Sequence, residues 1–303
     1  MRFLPLTGQE HAPSQDAAEA GHSEAFDLGE MLSHHILNGR EYEFPGFVWH
    51  MPQMDPIHLG GLAIDLSLTK HTFLMLVAAA ITMVVSLVVA RTISRKHVTS
   101  APSGFSNAIE AIVVFFRDDV CKGNIGHGYE RFAPFILTLF FFILTMNLLG
   151  LMPWGGTATG NISVTAALAI ITFFVVEISG FIKLGAAGYA RTIFFVPPGT
   201  EGIWKLVMLL VMTPVEFLSK LTKPFALAIR LFANMTAGHM LIFSLLGLIF
   251  VFGNMAYARW VVAGASFAMT SAIMMLELLV ALIQAYIFAM LSAVFIGLMQ
   301  HEH

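Results

Sequence analysis

The sequence predicts an all-α, polytopic membrane protein with about five membrane helices, the last two long, tilted and forming a hairpin, plus an interfacial amphipathic helix. Three observations carry that expectation. Of the 303 residues, 57% are hydrophobic and 12% charged, with a mean hydropathy of +0.78, whereas a soluble globular chain has about 25% charged residues. The apolar residues gather in runs near or beyond the roughly 20 residues that span a bilayer as a helix. Basic residues stand mainly at the ends of those runs, as the positive-inside rule expects of cytoplasmic loops.

Residues 1–66 read as a polar, acidic, histidine-rich tail ahead of a membrane domain over 67–303. Within residues 1–70 lie ten of the nineteen acidic residues but only three of the sixteen basic ones, so the net charge of −3 averages two unlike parts. The tail lacks the basic start, short apolar core and small-residue cleavage site of a secretory signal. A dimer contact, a far-side surface helix around Phe26 to Leu37 and a disordered segment all stay open for it.

The first span covers about 71–90. Phe73 to Ala90 carries no charge, and Arg91, Arg95, Lys96 and His97 follow at once, marking the cytoplasmic side. Over about 105–120, Ile109, Ile112, Val113 and Phe116 recur at helical spacing while Asn107, Glu110, Arg117 and Asp118 fall elsewhere, as in a helix lying along the interface. Spans over about 134–153 and 161–184 form a hairpin through the uncharged turn Pro153 to Asn161. Its Trp154 suits the far interface, and Lys183 and Arg191 return the chain to the cytoplasm. The last two spans, about 203–252 and 260–299, leave the C-terminus cytoplasmic. A helix of about 40 residues is roughly 60 Å long, twice the hydrocarbon thickness, so both must tilt, bend or extend beyond the bilayer. Pro214 and Pro224 are the expected bends. Arg259, a basic residue in a far-side loop, is outweighed by Lys183, Arg191, Lys205 and the 91–97 cluster.

Several chemistries are excluded. The single Cys121 allows no internal disulfide and no thiolate metal cluster, and it reads as an inert packing residue. His34 and His35 are adjacent and diverge on a helix, and the tail holds no metal-ligating His-x3-His pair with a carboxylate. Paired axial histidines for haem are missing, as are a Gly-rich phosphate loop and a nucleophile elbow. No basic patch suggests nucleic acid. The chain is expected to carry no cofactor, no metal and no nucleotide site.

What needs explaining is the polar set inside the last two spans. Arg230 lies in the run Pro224 to His239, which leads into the apolar stretch Met240 to Phe252. An arginine at a helix centre costs about 2.5 to 3.5 kcal/mol on translocon scales, and its guanidinium stays protonated at any accessible pH. Asn234 stands about 40° from Arg230 on a helical wheel, Glu277 and Gln284 stand about 20° apart, and His239 falls about 180° from Arg230 on a different wall. Arg230 reads either as a packing ion pair with Glu277 or Glu216 or as part of a hydrated proton path; only the path also accounts for the amides and the imidazole. Glu277 reads as an acid kept neutral by burial or as a relay group, His239 as a buried structural imidazole or a titrating one. Asn234 and Gln284 suit interhelical hydrogen bonds as well as a path. Glu216, Lys220 and Lys223, at i, i+4 and i+7, suit a solvated face or the mouth of a path.

The run Lys223-Pro224 through Arg230-Leu-Phe-Ala-Asn234-Met-Thr-Ala-Gly-His239, with Glu277 through Gln284-Ala-Tyr-Ile-Phe288 downstream, resembles subunit a of the F-type ATP synthase. The resemblance extends to Met146-Asn147-Leu-Leu-Gly-Leu-Met-Pro153 and covers about residues 70–303. It implies a proton-translocating stator subunit, non-catalytic itself, that offers two aqueous half-channels to a ring of c subunits and sits in a large complex with b-type peripheral stalk subunits. By that likeness Arg230 faces the ring between the half-channels. Asn234, His239, Glu277 and Gln284 line the inlet, and Glu216 lies near the cytoplasmic path. Many bacterial relatives have a carboxylate where His239 stands and a histidine where Glu277 stands; this chain has the exchanged arrangement, and the two residues are expected to face one water cavity. Two features depart from the family pattern: Ala226 stands where relatives often place a serine, and the acidic tail maps onto no family segment. The tail favours a bacterial plasma (inner) membrane over the mitochondrial inner membrane. A self-contained secondary transporter is the rival from another class, but such folds show inverted repeats and paired broken helices, and the sequence has neither. A membrane scaffold leaves the polar strip unexplained.

Overall fold

The computed structural model describes residues 41–44, 47–52, 57–59, 62–64, 67, 69–96, 104–152, 157–194, 202–252 and 257–301. Five of its helices are long and apolar enough to cross a membrane. They are α1 (Lys70–Lys96), α3 (Ala133–Gly150), α4 (Ile162–Ile193), α5 (Ile203–Val251) and α6 (Ala258–His301), with α2 (Phe105–Phe115) lying between the first two. The sequence anticipates this order. It does not anticipate the two small antiparallel hairpins that precede α1: β1 (Glu41–Phe44) with β2 (Phe47–His50), and β3 (Ile57–Leu59) with β4 (Leu62–Ile64). Trp49 of β2 meets Phe73 of α1 edge to face at 5.1 Å, so this end of the tail is held to the membrane domain. Phe26 to Leu37, His34, His35, Trp154 and His97 lie outside the described residues.

The centre of the bundle is α3 against α6. Ile136, Leu139, Phe140, Ile143, Met146, Asn147 and Gly150 are buried, a 3.6-residue stripe pressed against its neighbours. From α6 come Ala281, Gln284, Ala285, Phe288, Ala289, Ser292, Ala293 and Ile296, mostly small residues. Small side chains let helix backbones approach where lipid supplies no hydrophobic drive. Asn147 fastens the pair, donating from Nδ2 to the Ala281 carbonyl at 3.2 Å and accepting from the Thr159 hydroxyl at 3.0 Å. On the other side, α1 packs Leu74, Ala78 and Thr82 inward, and the Thr82 hydroxyl donates to that of Thr145 at 3.2 Å. His71 donates to the backbone carbonyl of Thr157 in the hairpin turn.

The interfacial helix runs on past its expected end. After α2 the backbone widens into a π-helical stretch, Phe116–Lys122, whose buried Phe116, Val120 and Cys121 turn toward the core. Phe116 packs its ring 4.4 Å from Phe140. Burial without a charge partner pushes the Cys121 thiol up to about 11, which fits the inert role expected of it.

The long helices α5 and α6 contain 49 and 44 residues, roughly 74 and 66 Å at 1.5 Å per residue. Pro214 and Pro224 sit inside α5, which continues through both. Only 11% of the apolar window of α5 is buried by the rest of the chain, against 44% for α6. One flank of α5 is therefore covered by α4 and α6, while the remainder faces outward.

Candidate functional site

The exposed flank of α5 between residues 225 and 241 consists of Phe225, Ala226, Ile229, Arg230, Ala233, Asn234, Ala237, Met240 and Leu241. Leu227, Ala228, Leu231 and Met235 turn inward. Arg230 thus projects from a strip with alanines before and after it. Among the described residues neither Glu277 nor Glu216 pairs with it, so the packing ion pair is not formed. A guanidinium left outward on an apolar helix needs a counter-charge from outside the chain.

Behind that strip the polar residues of α5 and α6 meet. Asn234 donates from Nδ2 to Oε1 of Gln284 at 3.0 Å, and the Gln284 Nε2 is buried without an acceptor. Further along α5, His239 sits between two backbone carbonyls, with Nδ1 3.0 Å from Met235 O and Nε2 2.9 Å from Gly150 O. A neutral imidazole has one N–H, so it donates to only one of them. With a second proton it donates to both.

Glu277 is 8% exposed, and neither of its carboxylate oxygens has a hydrogen-bond partner. Its seat is the backbone of Gly238: a Cβ added there would lie 1.6 Å from Oε1 and 2.6 Å from the carboxyl carbon. Glycine is what allows the carboxylate to reach the backbone of α5. The carboxylate of Glu277 thus lies against the turn of α5 that also carries His239. Each unpaired buried polar atom costs about 1 to 3 kcal/mol, and here Glu277 Oε1 and Oε2, Gln284 Nε2, Thr236 Oγ1 and Thr270 Oγ1 all belong to α5 and α6.

Glu216 is half-buried and stands apart, 14 residues or roughly 21 Å along α5 from Arg230. Near that end Lys220, which the sequence singles out, meets partners on α4 that the sequence does not. Lys220 is buried and contacts Glu177 of α4 at 3.6 Å, donates to the Thr192 hydroxyl at 2.9 Å and lies 4.9 Å from the centre of the Tyr189 ring. The Tyr189 hydroxyl donates to the same Glu177 oxygen. Residues 177 and 189 would be about 18 Å apart on a straight helix. Gly185 has φ +68° and ψ 173°, a conformation glycine tolerates, and there the end of α4 folds back. The available signal was Glu177 itself, an acid within an apolar run. Gly238 offered only its place before His239.

The chain resembles known proteins over most of its length. The family described as ATP synthase A chain matches residues 72–297. The ATP synthase subunit a of Chloroherpeton thalassium is 48% identical over 271 residues, covering 89% of this chain and 76% of the relative. ATP synthase subunit a 2 of Chlorobaculum tepidum is 42% identical over 295 residues, 97% of this chain and 78% of the relative. The subunit a of Anaeromyxobacter dehalogenans is 42% identical over 292 residues, 92% and 72% of the two chains. An alignment reaching 97% of this chain takes in the acidic tail, so the tail has a counterpart in relatives after all.

Proposed function

The chain belongs to the ATP synthase A chain family, and from that premise we propose that it is the proton-translocating stator subunit of a rotary, F-type ATP synthase. It is an integral membrane protein that carries no nucleotide site of its own and works within a multi-subunit complex. Its partners are a ring of c subunits and b-type peripheral stalk subunits. The membrane is a bacterial plasma membrane, with the C-terminus on the cytoplasmic side, and residues 1–66 form a tail preceding the membrane domain.

The observation that carries the reading is Arg230, outward-facing and without a carboxylate partner among the described residues, on the least covered of the five long apolar helices. Ala226, Ala233 and Ala237 beside it leave room for a ring helix to approach. A permanently charged arginine holds the ring carboxylate opposite it in the ionised form, so a proton leaves on one side and another loads from the other. Arginine does not release its own proton, which blocks a direct leak between the half-channels. Asn234, Gln284, His239 and Glu277 form the inlet wall, and Glu216 lies toward the outlet. Moving one charge through 100 mV supplies about 2.3 kcal/mol, so several protons drive each ATP.

The test is ATP-driven proton pumping in membrane vesicles carrying Arg230→Ala, followed by acridine dye quenching with assembly of the complex checked in parallel. Coupled pumping is expected to vanish in an assembled complex. Near-normal pumping would sink the assignment.

A further inference from the structure

Glu177 and Lys220 are hard to account for as packing alone. A buried ion pair is often no more stabilising than apolar residues of the same volume, and this one is loosely made. Its 3.6 Å separation exceeds the roughly 2.7 to 2.9 Å of a direct charge-assisted hydrogen bond. The ammonium is instead held by Thr192 at 2.9 Å, and the carboxylate by the Tyr189 hydroxyl. Beside both charges lies a cavity of about 20 Å³, room for about one water, and a polar gap above 3.5 Å is where a bridging water fits.

The cavity is placed for transport. Glu177, Lys220, Lys223, Pro224 and Leu227 line it, and Leu227 is one helical turn from Arg230. Lys220 lies ten residues, roughly 15 Å, from Arg230 on α5; His239 lies nine residues, roughly 14 Å, in the other direction. Arg230 is therefore flanked at similar distances by two polar groups, one containing Glu277 and the other Glu177. Glu216 does not line the cavity.

We propose that Glu177 is a proton-exchanging carboxylate on the Lys220 side of Arg230, working through water in this cavity. The inference rests on the proton-translocating reading above. A proton released opposite Arg230 reaches the cavity water and bonds to a Glu177 oxygen, then leaves to water on the outer side as that O–H bond breaks. Glu177 ends as the carboxylate it began as. Lys220 and Tyr189 keep their own protons throughout and act as positioning donors that hold the carboxylate toward the cavity.

The experiment measures passive proton flux, driven by a potassium diffusion potential, through vesicles whose complexes have been stripped of the catalytic head. Glu177→Gln, Glu177→Asp and the double variant Glu177→Gln with Lys220→Met are compared with the unaltered chain, with assembly verified for each. Glu177→Gln is expected to slow the flux by about tenfold or more, the scale on which a positioned acid–base group acts, and Glu177→Asp to retain most of it. The double variant separates the roles because it leaves no unpaired charge. It stays slow if the carboxylate carries protons, and it returns to the normal rate if the pair is only a clamp between α4 and α5. Normal flux in Glu177→Gln, or recovery in the double variant, overturns the proposal; should the single variant fail to assemble, the double variant decides. Absence of flux in the unaltered vesicles would overturn the proton reading itself.

Discussion

Gly238→Ala tests whether the carboxylate of Glu277 must touch α5. The added Cβ would stand 1.6 Å from Oε1, and ordinary van der Waals contact begins at 3.4 Å, so the carboxylate has to retreat by about 1.8 Å. Because the side chain can pivot, the stability cost is modest, about 1 to 3 kcal/mol as for other overpacked sites. Function suffers more: a misplacement of about 1 Å in a reacting group costs on the order of a hundredfold in rate. Proton pumping in vesicles is therefore expected to fall by roughly that factor while assembly persists. Gly264→Ala is the matched control, because nothing lies within 4 Å of its Cβ and alanine suits a helix interior better than glycine by about 0.5 to 1 kcal/mol. Normal pumping by Gly238→Ala, or equal losses in the two variants, would refute the argument that Glu277 works from its seat on Gly238.

Asn147→Ala leaves the Thr159 hydroxyl without the partner it now has and removes the side-chain bond to the Ala281 carbonyl, which keeps its bond within α6, and a lowered thermal midpoint of the complex is expected, on the scale of about 1 to 3 kcal/mol. Cys121, whose thiol burial pushes up to about 11, stays protonated and shielded, so maleimide should fail to label the folded protein from pH 7 to 9 and label it fully in denaturing detergent. His239→Ala removes the contact to Gly150 O and should cut pumping while leaving the Arg230 strip exposed, which cysteine cross-linking from Ala233→Cys on that strip to a ring helix would confirm.

The helices were legible because the membrane imposes a length and a composition on each. The first helix runs past Arg91 to Lys96, because basic side chains at a span's end mark the interface without ending the helix. Arg230, Glu277 and His239 stood out because a polar group inside an apolar run has a cost that the run itself displays. The wheel angle of about 180° between Arg230 and His239 was also sound: one points out of the chain, the other to the α3 hairpin. Contacts that depend on chain reversal were hidden. Nothing local in Glu177 announces Tyr189 twelve residues away, since the meeting depends on Gly185 taking a positive φ, and Lys220 read equally as one of three charges on a solvated face or as the mouth of a path. The hairpins over 41–64 were missed because strands of three or four residues carry too little alternation to register.

Carrying Arg230 and His239 on one continuous helix has a mechanical consequence. Under the proposed function, a stator would hold the charge that meets the ring and the group that loads it in fixed register, and a loop between them would let the two drift by ångströms. Here nine residues of unbroken α5 separate them, and opposite faces follow from the helical repeat. His239 is bonded to Gly150 of α3, Asn234 to Gln284 of α6 and Lys220 to Thr192 of α4. Three different helices thus grip α5, each by a polar contact, while most of the strip bearing Arg230 is left uncovered. That asymmetry lets α5 be rigid toward its own subunit and free of intramolecular contacts on the surface where a moving partner must slide.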